Sequence, residues 1–91
     1  MAYESPEYHP AFEEYCETIF ELEEDDIDVI QARIVERLHV SRPAVSEMIK
    51  KMGEANLVYF HGTQIHLTDD GKVLANQVVR RHRLAERFLT D

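Results

Sequence analysis

Apolar residues near the N-terminus recur with the spacing of a helix. The spacing i, i+3, i+4, i+7 and i+8 is that of one face of a 3.6-residue period. The stripe comprises Phe12, Tyr15, Cys16, Ile19 and Phe20. We predict a helix that begins at Pro10 or Ala11 and ends in the acidic cluster 23–26. Glu14 and Glu17 are expected on its opposite, solvent-exposed face.

Two further helices are predicted in the middle of the chain. Asp28 and Gln31 have the spacing of a capping box, so the second helix is expected to begin at Asp28. Ser41 is a favourable N-cap for the third, and Pro43 falls in its first turn, where a missing N–H costs nothing. The expected buried positions are Ile30, Ile34, Val35 and Leu38 in the second helix, and Val45, Met48, Ile49 and Met52 in the third.

After Asn56 the pattern changes from helical to extended. Residues 57–60 and 64–67 are β-prone runs separated by His61-Gly62-Thr63, which predicts a hairpin. Thr68 is expected to cap a long final helix that still has no stop signal at Asp91. The missing stop signal suggests a fragment of a longer protein.

The order helix, helix, short turn, helix and hairpin is that of a winged helix-turn-helix, a mostly α fold with a small β-hairpin. Such a fold presents the third helix to the major groove of DNA. A small α+β domain of another kind remains an alternative at this stage. Short side chains on the third helix would allow close approach to base edges, and its basic residues would reach phosphates. The DNA-binding candidates are Arg33, Ser41, Arg42, Pro43, Ala44, Ser46, Glu47, Lys50 and Lys51.

The net charge of -8 by itself argues against a nucleic-acid partner, but the distribution of the charges along the chain changes this inference. Residues 1–28 contain eleven acids and no Lys or Arg, whereas residues 29–91 contain seven acids and ten bases, a net +3. The acidity therefore belongs to the N-terminal part, and the predicted DNA-reading part is basic. Glu47 is the exception on the third helix, because phosphates repel a carboxylate.

Composition narrows the class of protein further. The chain is 44% hydrophobic and 31% charged, which is typical of one globular domain. A single cysteine cannot form an internal disulfide, which favours a reducing cytoplasmic location. The sequence contains no run long enough for a membrane span and no signal peptide. Nothing resembles a nucleophile with its base, so we do not expect an enzyme.

His82 and Glu86 stand at i and i+4 on the last predicted helix, which places an imidazole next to a carboxylate. Such a pair suits a divalent transition metal, but spacing alone favours an ordinary surface pair. Glu14 and Glu17 are similarly ambiguous, because a solvated acidic face has the same pattern.

Several segments together resemble the diphtheria toxin repressor family, whose members are metal-dependent transcriptional repressors. The segments are YCETIFEL (15–22), QARIVERL (31–38), SRPAVSEMIKKM (41–52), LTDDG (67–71) and VRRHRLAERFLTD (79–91). The resemblance covers nearly all of residues 10–91, and its most specific part is RRHRLAERFL.

The resemblance implies a metal site formed by Glu14, Glu17, His82 and Glu86. In the iron-responsive branch of the family a methionine matches Glu14, whereas in the manganese-responsive branch carboxylates match both Glu14 and Glu17. Oxygen ligands suit manganese, so Mn²⁺ is favoured over Fe²⁺ as the cofactor.

The resemblance also implies an organisation and partners. We expect an N-terminal arm (1–9), a winged helix-turn-helix (10–72) and the start of a helix (73–91) leading to a dimerisation domain. The partners would be an operator in double-stranded DNA and a second copy of the protein, with no membrane. Two alternatives remain open: a winged-helix regulator that senses a small organic ligand, and a protein-interaction winged helix without DNA binding.

Overall fold

Helix α1 (Ala11–Glu24) follows Pro10, as the apolar spacing predicts. The computed structural model describes the backbone of residues 10–90 and the side chains of residues 10–83. The predicted arm, residues 1–9, lies outside the described residues. The buried face of α1 consists of Phe12, Tyr15, Cys16, Thr18, Ile19 and Leu22.

Helix α2 (Gln31–Leu38) begins later than predicted, and the Asp28 capping box is wrong. The N-cap is Ile30, whose backbone is extended and whose side chain makes no cap hydrogen bond. The preceding residue explains the delay, because the carbonyl of Val29 accepts a 2.8 Å hydrogen bond from the amide of Ile65. This segment is held extended beside the second strand, so it cannot be the first turn of a helix.

Helix α3 (Arg42–Glu54) begins where the sequence predicts. The hydroxyl of Ser41 accepts a hydrogen bond of 3.2 Å from the amide of Ala44, which confirms Ser41 as the N-cap. Val45, Ile49 and Met52 are buried.

Strands β1 (Val58–His61) and β2 (Gln64–Leu67) form an antiparallel hairpin in which Tyr59 pairs with His66. His61 belongs to β1, although the sequence placed it in the turn. The turn is therefore shorter than predicted, and Gly62 takes the positive φ of 66° that it requires.

Helix α4 (Asp69–Thr90) runs without interruption across the predicted boundary at residue 72. The hydroxyl of Thr68 accepts a 3.0 Å hydrogen bond from the amide of Gly71, which confirms the predicted cap. Helix α4 packs along α1, and Leu74, Ala75 and Val78 are buried. Val73 is 56% exposed and does not belong to the core.

The core is shared by all six elements, and it includes Ile19, Ile34, Ile49, Leu57 and Ile65. A mostly helical chain with a small antiparallel hairpin, in the order of a winged helix-turn-helix, is confirmed. Among the described helices, none combines the length and apolar character needed to cross a membrane.

Candidate metal centre and nucleic-acid interface

A contact between α1 and α4 joins two of the four candidate metal ligands. The Nδ1 atom of His82 lies 2.6 Å from the Oε2 atom of Glu17. The Glu17 side chain is only 17% exposed, so its expected position on a solvent-exposed face is wrong. Glu17 lies on the flank of α1 that α4 covers, and this cover was not evident from the periodicity of α1 alone.

Glu17 is the middle of a row of carboxylates that sequence reasoning missed. Glu13, Glu17 and Glu21 succeed one another at i, i+4 and i+8 on one side of α1. Glu13 Oε2 lies 3.0 Å from Arg81 Nη2 on α4, and Glu21 Oε1 lies 3.8 Å from Arg37 Nη1 on α2. The sequence signal was the four-residue spacing, which gave no indication of the partners.

The other two candidate ligands lie on the same two helices, one turn away from this pair. Glu14 is exposed, one turn before Glu17. The backbone of Glu86 lies in α4, one turn beyond His82, but its side chain is outside the described residues. Within the part of the chain described with side chains, no group of three or more His, Cys, Asp or Glu residues is arranged to hold a metal ion.

Burial and neighbouring acids make α1 a poor place for further negative charge. The pKa of Glu21 is raised by burial and then by the carboxylate of Glu17. Burial, with Glu13 nearby, raises the pKa of Cys16 to about 12, as expected for a thiol in the apolar stripe of α1. Burial and the charge of Glu14 raise the pKa of Tyr15. A cation near Glu17 and Glu21 would offset the repulsion between these two carboxylates, which is the second cause of the raised pKa of Glu21.

The DNA-binding candidates share one property, which is exposure to solvent. The exposed set comprises Arg33, Ser41, Arg42, Pro43, Ala44, Ser46, Glu47, Lys50 and Lys51. All except Arg33 lie on α3 or at its N-cap, so they form a small-residue surface flanked by basic side chains. Arg33 lies on α2 and makes a 2.9 Å ion pair with Glu36. Contact with DNA stays a prediction for all nine.

The hairpin carries an aromatic cluster that the sequence did not reveal. The rings of Tyr59 and His66 are stacked with centroids 5.4 Å apart, and the centroids of His61 and His66 are 6.2 Å apart. His66 Nδ1 also lies 3.5 Å from Oε2 of Glu23 on α1. Because side chains alternate along a strand, the sequence indicates that Tyr59 and His61 share a face. It does not give the register that brings His66 opposite Tyr59.

Two family descriptions match the chain in succession. Residues 8–64 match the iron dependent repressor, N-terminal DNA binding domain. Residues 68–91 match the iron dependent repressor, metal binding and dimerisation domain.

Named relatives agree with these matches. The diphtheria toxin repressor of Corynebacterium efficiens is 46% identical over 80 residues, which are 87% of this chain and 35% of that protein. The iron-dependent repressor IdeR of Mycobacterium tuberculosis is 44% identical over the same shares of the two chains.

The solved structure of the manganese regulator SloR superposes with a TM-score of 0.76 at 41% identity, over 90% of this chain and 39% of that one. The chain therefore spans little more than a third of the length of these relatives. Since the N-terminal family description alone covers more than half of its residues, and the capped α3 and the α1–α4 contact lie within the matched regions, the chain belongs to the iron dependent repressor family.

Proposed function

We propose that the chain is the DNA-reading and metal-sensing part of a transcriptional repressor, and that it is not an enzyme. The contact between Glu17 and His82 carries the proposal, because it joins a carboxylate and an imidazole from two helices. The printed names of the relatives, an iron-dependent repressor and a manganese regulator, support a metal signal. The single buried Cys16 supports a cytoplasmic location.

The donor set suits a divalent transition metal. Glu17 and His82 would hold the ion between α1 and α4, with Glu14 and Glu86 one helical turn away on the same two helices. When bound, the ion would supply positive charge to an acidic helix face. Oxygen donors from Glu14 and Glu17 support Mn²⁺ over Fe²⁺.

The residues of the chain then account for coupling to DNA. Glu17 and His82 set how firmly α1 is held on α4, and α1 packs against α2, which in turn packs against α3. A bound metal ion would shift the equilibrium between the DNA-competent arrangement and other arrangements only as far as it binds the DNA-competent one more tightly. In a homodimer, the two α3 helices would have to match half-sites one helical turn of DNA apart.

Mn²⁺ binding tests the metal site directly. Titration of the chain into Mn²⁺, followed by the electron paramagnetic resonance of the free ion, should show binding that Glu17→Gln or His82→Ala weakens at least tenfold. Glu24→Gln removes an exposed acid of the same helix and should leave binding unchanged. Equal binding by Glu17→Gln and the unaltered chain contradicts the proposed site. Anaerobic competition with Fe²⁺ would then determine the preferred metal.

DNA binding is tested with a pool of random-sequence duplexes at low salt. Arg42→Ala should weaken binding to all sequences and lower the slope against salt by about one. Substitutions of Pro43 should instead change which sequences are selected. If Mn²⁺ leaves DNA affinity unchanged while the metal still binds, the metal site would be real but not regulatory.

A groove beside α2 supports one alternative, a regulator that senses a small organic ligand. It is open, has a volume of about 470 Å³, and is lined by Leu22, Ile27, Arg33, Glu36, Arg37 and His39. This volume falls within the range of small-molecule sites, about 300–1,000 Å³, although such sites are usually more enclosed. Calorimetry with Mn²⁺ on the unaltered chain and on Glu17→Gln separates the two functions, because the alternative predicts no heat that depends on Glu17.

A further inference from the structure

The outer face of the hairpin carries two imidazoles that the proposed function does not use. Side chains alternate along a strand, so Tyr59 and His61 of β1 share a face with His66 of β2, which is paired with Tyr59. His61 is exposed, and the His66 side chain is 31% exposed. Both rings are therefore accessible to a ligand from solvent.

The spacing of the two rings is close to that of a pair of imidazoles on one metal ion. A nitrogen–metal bond of about 2.0–2.1 Å places two imidazole centroids about 5.2 Å apart at a tetrahedral angle. The centroids of His61 and His66 are 6.2 Å apart. A tetrahedral ion therefore requires the rings to approach by about 1 Å, which a rotation of the exposed His61 side chain allows.

His66 is also oriented by its neighbours. The Tyr59 ring stacks on it at an interplanar angle of 29°, which restricts its rotation. The Oε2 atom of Glu23 lies 3.5 Å from its Nδ1 atom, which is longer than an ordinary hydrogen bond, and Nε2 lies on the other side of the ring. A carboxylate on the second nitrogen of a metal-bound histidine fixes its orientation and increases its basicity.

We propose that His61 and His66 form a second metal site, with Glu23 as a positioning residue, and that the site takes a borderline divalent ion such as Zn²⁺. Imidazole ligands suit zinc, nickel and copper. Two protein ligands leave the remaining positions to water, so the site is open. Because Glu23 belongs to α1, an ion here would tie the wing to the C-terminal end of that helix. This site does not depend on the proposed function.

The test is a Zn²⁺ titration of the His82→Ala chain, followed by the imidazole resonances in nuclear magnetic resonance spectra. Removing His82 separates this site from the one between α1 and α4. The Hε1 signals of His61 and His66 should shift together with Zn²⁺. His61→Asn or His66→Asn should abolish the shift of the remaining ring. His39→Asn is the matched control, since His39 has a φ of 58° and asparagine tolerates that conformation.

Glu23→Ala provides a second measurement that leaves both rings in place. It should weaken Zn²⁺ binding about tenfold, as loss of the outer carboxylate does in other metal sites. Glu24→Ala, at the exposed neighbouring position, should leave the affinity unchanged. The proposal is overturned if neither ring responds to Zn²⁺, or if the response of His66 survives in a folded His61→Asn chain.

Discussion

Ser41 has a structural role that must be separated from its expected role at DNA. Its hydroxyl oxygen accepts the amide of Ala44, so it stabilises the first turn of α3 whether or not DNA is bound. A loss of DNA binding in Ser41→Ala would therefore have two possible causes.

Two substitutions of Ser41 separate these causes. Ser41→Ala should lower the free energy of unfolding by about 1 kcal/mol, because the cap is lost. Ser41→Asp keeps a good cap and adds a negative charge near the helix N-terminus, so stability should change by no more than about 0.5 kcal/mol. Its DNA affinity should nevertheless fall, since the carboxylate would face phosphates. Urea unfolding and binding to a random duplex measure the two effects, and undiminished DNA affinity in Ser41→Asp would place α3 away from DNA.

Cys16 should be chemically inert in the folded chain. It is fully buried, and burial with Glu13 nearby raises its pKa to about 12. Because the thiolate is the reactive form, an aromatic disulfide reagent at pH 8 should react only through unfolding. The rate should rise to that of a free thiol in denaturing urea. Rapid labelling without denaturant would show that the thiol is accessible.

The raised pKa of Cys16 also predicts how the stability of the folded chain changes at alkaline pH. The folded chain retains the Cys16 proton above the ordinary thiol pKa, where the unfolded chain loses it. Cys16 therefore causes no loss of stability below about pH 9. Above that pH, the stability of the folded chain falls until the pH reaches about 12.

At the residue scale, local chemistry was predictable and long-range partners were not. The caps at Ser41 and Thr68 follow from short oxygen-bearing side chains before helical runs, and both are present. Asp28 has the same local chemistry, but a hydrogen bond from β2 to Val29 overrides it. Glu17 was misplaced for a similar reason, because its burial depends on a helix more than fifty residues away.

At the scale of elements, the start of α4 is fixed by its packing on the segment that connects α3 to β1. Thr68 donates its hydroxyl to the carbonyl of Asn56 at 2.6 Å, and its amide donates to the carbonyl of Leu57 at 3.0 Å. A Cβ atom built on Gly71 would lie 2.1 Å from that same Leu57 oxygen. Gly71 is therefore required by close approach of two backbones.

Alanine at the two helical glycines should have opposite effects. Gly71→Ala should cost about 1–3 kcal/mol of stability, because overpacking outweighs a gain in helix propensity of at most about 1 kcal/mol. Gly53→Ala is the matched control in α3, where the nearest atom to a new Cβ is 4.0 Å away, and it should stabilise the chain by about 0.4–1 kcal/mol. Thermal unfolding of both variants compares them. A stabilised Gly71→Ala chain would contradict the close contact between α4 and the carbonyl of Leu57.

Element types were predictable because each has its own period. The apolar stripes of α1 and α3 and the two β-prone runs gave the order of the fold. The face of α4 was harder to predict, since Val73 fits an apolar pattern yet is exposed. The packing of α1 against α4 determines which side of α4 is buried. The spacing of apolar residues within α4 does not reveal where α1 packs.

At the scale of the whole molecule, the segregated charge is partly compensated by folding. Helix α1 pairs with α4 through Glu13 and Arg81, and with α2 through Glu21 and Arg37. Both basic partners come from the part of the sequence after residue 28. Folding thus brings the acidic and basic halves together, but a net charge of -8 remains.

This residual charge should make the free chain more stable as salt is added. Repulsion among Glu17, Glu21, Glu24 and Asp25 contributes to the raised pKa of Glu21, and salt at 1 M screens exposed charges beyond about 3 Å. Surface ion pairs contribute only about 0–1 kcal/mol each, so their weakening by salt should not reverse the gain. The melting temperature should therefore rise between low and high sodium chloride. A fall would show that the ion pairs of α1 outweigh its self-repulsion.

Glu21→Gln tests whether Glu21 contributes to this repulsion. Because the pKa of Glu21 is raised in the folded chain, the folded state holds its proton longer, and stability is lost as the pH rises through that raised value. Glu21→Gln has no carboxyl group to ionise, so it avoids this loss of stability. Its free energy of unfolding should therefore equal that of the unaltered chain in acid and exceed it at neutral pH. The Glu21 side chain is 46% exposed, which limits the gain to a few tenths of a kcal/mol. Salt should also stabilise Glu21→Gln less than the unaltered chain, and an equal effect of salt on both chains would contradict a role for Glu21 in the repulsion.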